Sequence, residues 1–124
     1  MRLRVLEPEL GAGDVAELEI TTERAGYAAL NGVDSDGRTV NVLFPNALDG
    51  KNQFEAGRHR LPRPGWRLAT TGPAGIGSLY LLFCTRPVDA EAVRASVATC
   101  TAPPKAVASE CGASVAVYRE IRAS

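Results

Sequence analysis

The stretch "YAALNGVDSDGRTVNVLFPN", residues 27–46, decides the fold class. Tyr27 to Val33 and Thr39 to Phe44 are two short runs, apolar on both faces or nearly so, and Asp34-Ser35-Asp36-Gly37 joins them. Aspartate and glycine suit the positive backbone dihedrals of tight hairpin turns, so the stretch reads as two central strands and their turn. The same four residues invite comparison with a calcium loop. If Gly37 were the glycine at the sixth position of such a loop, Gly32 and Leu43 would stand where the first ligand and the bidentate glutamate are needed, and neither binds calcium through its side chain. The hairpin is therefore the reading taken, with no metal site.

Strand-like runs continue outward in both directions, bounded by Gly, Pro, Asn and Asp. In residues 15–22, Ala16, Leu18 and Ile20 fall on one face and Glu17 and Glu19 on the other, a period of two. Further strands are expected at 2–6, 58–62, 66–71, 78–83 and 113–121, the last with Val115, Val117 and Ile121 turned inward. One helix interrupts them: Asp89 caps it, and Ala90, Val93, Val97 and Cys100 recur at helical spacing. Thr101 to Ser109, with Pro103-Pro104, reads as a loop. The expected architecture is mainly β, an Ig-like antiparallel β-sandwich of about seven to eight strands with one short α-helix near the C-terminus.

With 124 residues, 45% of them apolar, the chain can bury one core, so residues 1–124 are expected to form one domain. Lys+Arg and Asp+Glu are equal at 14 each, which removes any overall field for nucleic acid or an anionic membrane. No apolar run has the length of a signal peptide core or a membrane span, so membrane insertion is not expected. Cys84, Cys100 and Cys111 form no C-x-x-C pair, and with a single histidine they match no zinc spacing. Cys100 and Cys111 flank TAPPKAVASE and would close a short loop if bridged, which would favour the periplasm or cell envelope over the cytoplasm; two buried free thiols are the other reading.

Catalytic patterns are absent. Gly72 and Gly77 have the spacing of a phosphate loop, but Ser78-Leu79 stands where lysine and a hydroxyl residue belong. No G-x-S-x-G elbow exists, and Cys84 lies in the apolar run LYLLFC, where a thiolate is suppressed. Neither an enzyme nor a cofactor is expected.

The strongest local anomaly is "RHRLPRPGWR", residues 58–67, with Arg58, Arg60, Arg63, Arg67, His59 and Trp66 and no acid. Arginine makes bidentate bonds to oxyanions, so the cluster, with Asn46, Asp49 and Asn52 of the neighbouring loop, is the candidate contact surface for a protein partner or adjoining domain. The structural alternative is an edge strand guarded by charge and by Pro62 and Pro64, with Trp66 turned into the core. A second functional class, a small-ligand or cell-wall domain gripping a glycan or anionic polymer, would use the same arginines and Trp66.

Residues 26–87 also carry a family pattern: Gly26-Tyr27, then "VDSDG" at 33–37, "VNVLFPN" at 40–46, Ala56-Gly57 and "GPAG" at 72–75. In these the chain resembles the uncharacterised bacterial family known as domain of unknown function 4384. The resemblance implies an accessory module appended to larger bacterial proteins, among them caspase-like peptidases and serine/threonine kinases, some associated with type VI secretion or the cell envelope. It brings no catalytic residue. The chain departs from the pattern in Tyr27-Ala28-Ala29-Leu30, where the family is often more aromatic, and in the tail with Cys100 and Cys111.

Overall fold

The computed structural model describes residues 1–7, 9–11, 14–69, 75–99 and 111–121. Among these lie eleven strands and one helix: β1 (Arg2–Val5), β2 (Glu9–Gly11), β3 (Val15–Ala16), β4 (Leu18–Thr22), β5 (Gly26–Val33), β6 (Val40–Phe44), β7 (Gln53–Phe54), β8 (Gly57–Leu61), β9 (Leu68–Ala69), β10 (Gly75–Cys84), α1 (Ala90–Thr99) and β11 (Cys111–Ile121). The chain is mainly β and sandwich-like, with its short helix near the C-terminal end. A three-stranded sheet, β1-β4-β8, faces a larger one ordered β2-β11-β10-β5-β6, with β7 added to β5; β3 and β9 pair separately. The excess over the expected number of strands comes from β2, β3, β7 and β9, of two or three residues each. Pairing is antiparallel except between β11 and β2, which is parallel.

Alternation in the small sheet is strict. Leu3, Val5, Leu18, Ile20 and Leu61 point inward and meet Ala28, Leu30, Phe44, Leu79, Leu81 and Phe83 of the large sheet, closing one core. The run 15–22 is not one strand. It breaks at Glu17, whose carbonyl accepts from Leu6 N at 2.9 Å, so that β3 pairs with β9 while β4 lies between β1 and β8.

The hairpin forms as the sequence predicts. Gly37 adopts φ 71°, Gly37 N donates to Asp34 O at 2.9 Å, and Asp34 N donates to Thr39 O at 3.0 Å. The Asp36 carboxylate is consumed within the turn, accepting from Arg38 N, Thr39 N and the Thr39 hydroxyl at 2.8, 2.9 and 2.7 Å. These bonds, the hydroxyl foremost, lower its pKa from 3.8 to about 2. The helix begins as expected, with Asp89 Oδ1 accepting from Glu91 N at 3.0 Å and Ala92 N at 3.4 Å. Val93 and Val97 pack with Ala29, Leu82 and Cys84 on the outer face of the large sheet.

Two expectations are corrected. Val115 and Val117 do not turn inward; they are 57% and 58% exposed, and Ala116 and Tyr118 pack against the core. The β10–β11 ladder sets this parity by pairing Leu79 with Ala116 and Gly77 with Tyr118, and a one-residue change of parity exchanges the faces of a whole strand. A Cβ at position 77 would overlap the Tyr118 ring, so the glycine admits the aromatic side chain. Cys111, furthermore, is bridged to Cys84 and not to Cys100. The two stand opposite each other at the end of the ladder with Cα atoms 4.1 Å apart. Cys100, the loop 101–109 and Gly72 to Ala74 of the "GPAG" motif lie outside the described residues.

Candidate functional site

The residues of the predicted contact surface divide into two groups that the fold keeps apart. The first group is locked. Asp49 Oδ2 and Oδ1 accept from Arg63 Nε and Nη2, both at 2.7 Å, a bidentate pair. Asp49 Oδ2 also accepts from Trp66 Nε1 at 3.0 Å, and Oδ1 accepts from Lys51 N at 3.2 Å. A carboxylate offers about four acceptor directions, and four donors occupy them. The Arg63 bonds, with lesser help from Trp66 and Lys51, hold the Asp49 pKa below its ordinary value against the opposing effect of burial. Arg63 Nη2 donates in addition to the Lys51 carbonyl.

Asn46 builds the turn that presents Asp49. Its Oδ1 accepts from Leu48 N and Asp49 N, both at 2.9 Å, and its Nδ2 donates to Leu43 O at 3.0 Å. Asn52 anchors the far end of the loop, donating through Nδ2 to Ala28 O at 3.0 Å while its carbonyl accepts from Ala28 N at 2.8 Å. Beneath this polar cap the Trp66 ring stacks on fully buried Phe44, with centroids 5.7 Å apart and planes 7° apart. The Arg63 guanidinium lies 5.3 and 5.1 Å from the Phe44 and Phe54 ring centres. Cis peptide bonds precede Pro45 and Pro62, on the strands that lead into the cap. His59 leans on Phe54, centroids 4.8 Å apart, with Nε2 2.7 Å from Glu55 O.

The second group is open. Arg58 and Arg60 point away from the core on β8, which pairs with β4 at the edge of the small sheet. Arg67 is exposed on the approach to β9, away from them. The register joins to Arg58 and Arg60 two residues that lie outside the predicted contact surface: Arg2 pairs with Thr21 and Thr21 with Arg58, while Arg4 pairs with Glu19 and Glu19 with Arg60. The signal for them was present in the chain, since "RLRV" at 2–5 and "RHRL" at 58–61 both alternate arginine with residues of the other face. Both arginines of each strand are exposed. Glu19, its side chain only 15% exposed, sits among them with Oε1 3.7 Å from Arg58 Nε. Arg2, Arg4 and Arg60 have no ion-pair partner among the described residues.

A family model described as domain of unknown function DUF4384 matches residues 9–87. The chain belongs to the DUF4384 family. No curated protein and no solved structure matches it. The DUF4384 match takes in the locked cluster and β8 with Arg58 and Arg60. Arg2 and Arg4, α1 and the Cys111 half of the disulfide lie outside the matched residues.

Proposed function

We propose that this DUF4384 chain is a non-catalytic accessory module that recognises a protein partner, or a neighbouring domain of a larger bacterial signalling, secretion or envelope protein, through the outer face of its small sheet. The observation that carries this reading is the assembly of Arg2, Arg4, Arg58 and Arg60 on one exposed face from strands far apart in sequence. Exposed arginines that outnumber the acids among them present unspent hydrogen-bond donors, the chemistry of a docking surface. The strongest carboxylate cluster supports a structural role instead, because Asp49 is saturated by Arg63, Trp66 and Lys51. A glycan-binding role is less well supported, since the Trp66 ring it would use is 8% exposed and stacked on Phe44.

The test is capture from envelope and cytosolic extracts by the immobilised chain beside its Arg58→Gln/Arg60→Gln form, with retained proteins identified by mass spectrometry. A protein held by the native face and released by the double variant is the expected result. Identical retention by both forms overturns this surface. Arg63 is unsuited to the test because its loss removes a bond of the fold.

A further inference from the structure

Resting on that reading, we infer that the partner supplies an extended segment of mixed charge, with acidic side chains at alternate positions, laid over the arginine face. Two rows of side chains define the surface. One is Arg2–Thr21–Arg58, the other Arg4–Glu19–Arg60, each crossing three adjacent strands. Neighbouring strands lie about 4.8 Å apart and alternate residues about 6.6 Å apart, so each row spans about 10 Å and the rows are separated by the repeat of an extended peptide. Acidic residues at alternate positions of a strand-like segment match that repeat.

The first row is the anchor. Thr21 offers a hydroxyl between two guanidinium groups, and the row contains no acid, so a carboxylate seated over Thr21 meets donors from three side chains. The second row is already partly neutralised by Glu19. Beyond it on the same face stands exposed Glu17, opposite Leu6. The face therefore changes sign along the β4 direction, from the acid-free Thr21 row to Glu17. A uniform polyanion would meet both glutamates and be repelled, whereas a peptide can set a neutral or basic residue against them. The sign change is what favours a protein segment over polyphosphate, nucleic acid or an anionic wall polymer.

Fluorescence anisotropy with the full chain tests this. The probes are a labelled peptide with glutamates at alternate positions separated by threonines, its isomer with the glutamates contiguous, and polyphosphate as competitor. The alternating peptide should bind about tenfold more tightly than its isomer, and Arg2→Gln/Arg58→Gln should weaken it by about tenfold, one charge-assisted contact's worth. Arg38→Gln, on the hairpin of the other sheet, should change it by less than about twofold, which separates local contact from net charge. Circular dichroism of each variant checks that the fold is intact. Equal binding of both isomers, polyphosphate competing as well as the peptide, an unaffected double variant, or no binding of the alternating peptide would each overturn the inference. If no peptide binds while the native chain still captures a protein that Arg58→Gln/Arg60→Gln releases, the segment chemistry is wrong and the recognition reading stands; if capture also fails, both fall.

Discussion

Arg60 and Arg63 stand three residues apart in one basic stretch, yet the fold gives them opposite surroundings. Arg63 closes a cap in which every strong donor and acceptor has a partner: Asp49 receives it in two bonds, the Asn46 turn presents Asp49, and the stacked rings of Phe44 and Trp66 lie below. Arg60 leans from an edge strand beside Glu19 with its guanidinium unspent. Sequence composition is the same in both places; what differs is whether the fold supplies an acid. Charge in a basic stretch thus reads as fold where the neighbouring turn delivers a carboxylate and as surface where it does not.

Substitutions can break this comparison. Arg63→Glu should cost the most, about 2–3 kcal/mol in urea unfolding, because it sets a second carboxylate against Asp49 in a partly buried site. A cost below that of an ordinary surface change would mean that the cap does not hold the fold. Asp49→Asn keeps the shape and one acceptor but loses the charge assistance to Arg63, and about 1–2 kcal/mol is expected from the same measurement.

Asn31 sharpens the contrast from the other side. It is fully buried on β5, and neither its Oδ1 nor its Nδ2 has a hydrogen-bond partner, the reverse of the saturated Asp49. Asn31→Leu should therefore stabilise the chain by about 1 kcal/mol, read as a higher thermal midpoint. A lower midpoint would show that the amide is satisfied in solution. Arg58→Gln/Arg60→Gln should shift the urea midpoint least, within about 0.5 kcal/mol, since both side chains are exposed.

Acid offers a separate check. Asp36 and Asp49 both have folded-state pKa values below their ordinary 3.8, so each contributes stability that is present above about pH 4 and lost as pH falls through the folded value. For Asp36 that window closes near pH 2. A carboxyl-carbon NMR titration should place Asp36 there and show it rising toward the ordinary value in Thr39→Val, which removes the largest cause of the shift. An unmoved titration would assign the shift to the backbone donors instead.

Periodicity and turn chemistry made the hairpin, the edge strand at 58–61 and the Asp89-capped helix legible, because each rests on residues close in sequence. What escaped depends on register. Val115 and Val117 alternate as convincingly as Ala116 and Tyr118, and only the ladder with β10 decides which pair turns inward. Cys100 and Cys111 are neighbours in sequence, while Cys84 meets Cys111 because two long strands run antiparallel to the same end. The arginine face escaped for the same reason: "RLRV" and "RHRL" are each visible, but β4 has to lie between them before they become one surface. The locked cluster was picked out as a place, residue by residue from Asn46 to Trp66, but the pairing of Arg63 with Asp49 that turns it from contact surface to cap was not.

The central claim is that the two arginine groups divide labour between surface and fold. The most direct test measures alternating-peptide affinity and urea midpoint together on Arg58→Gln/Arg60→Gln and on Asp49→Asn. The account predicts that the first variant loses affinity at an unchanged midpoint and the second loses midpoint while, still folded in buffer, it keeps its affinity. Retained affinity in the first variant, or lost affinity in the second without a change of midpoint, would contradict it.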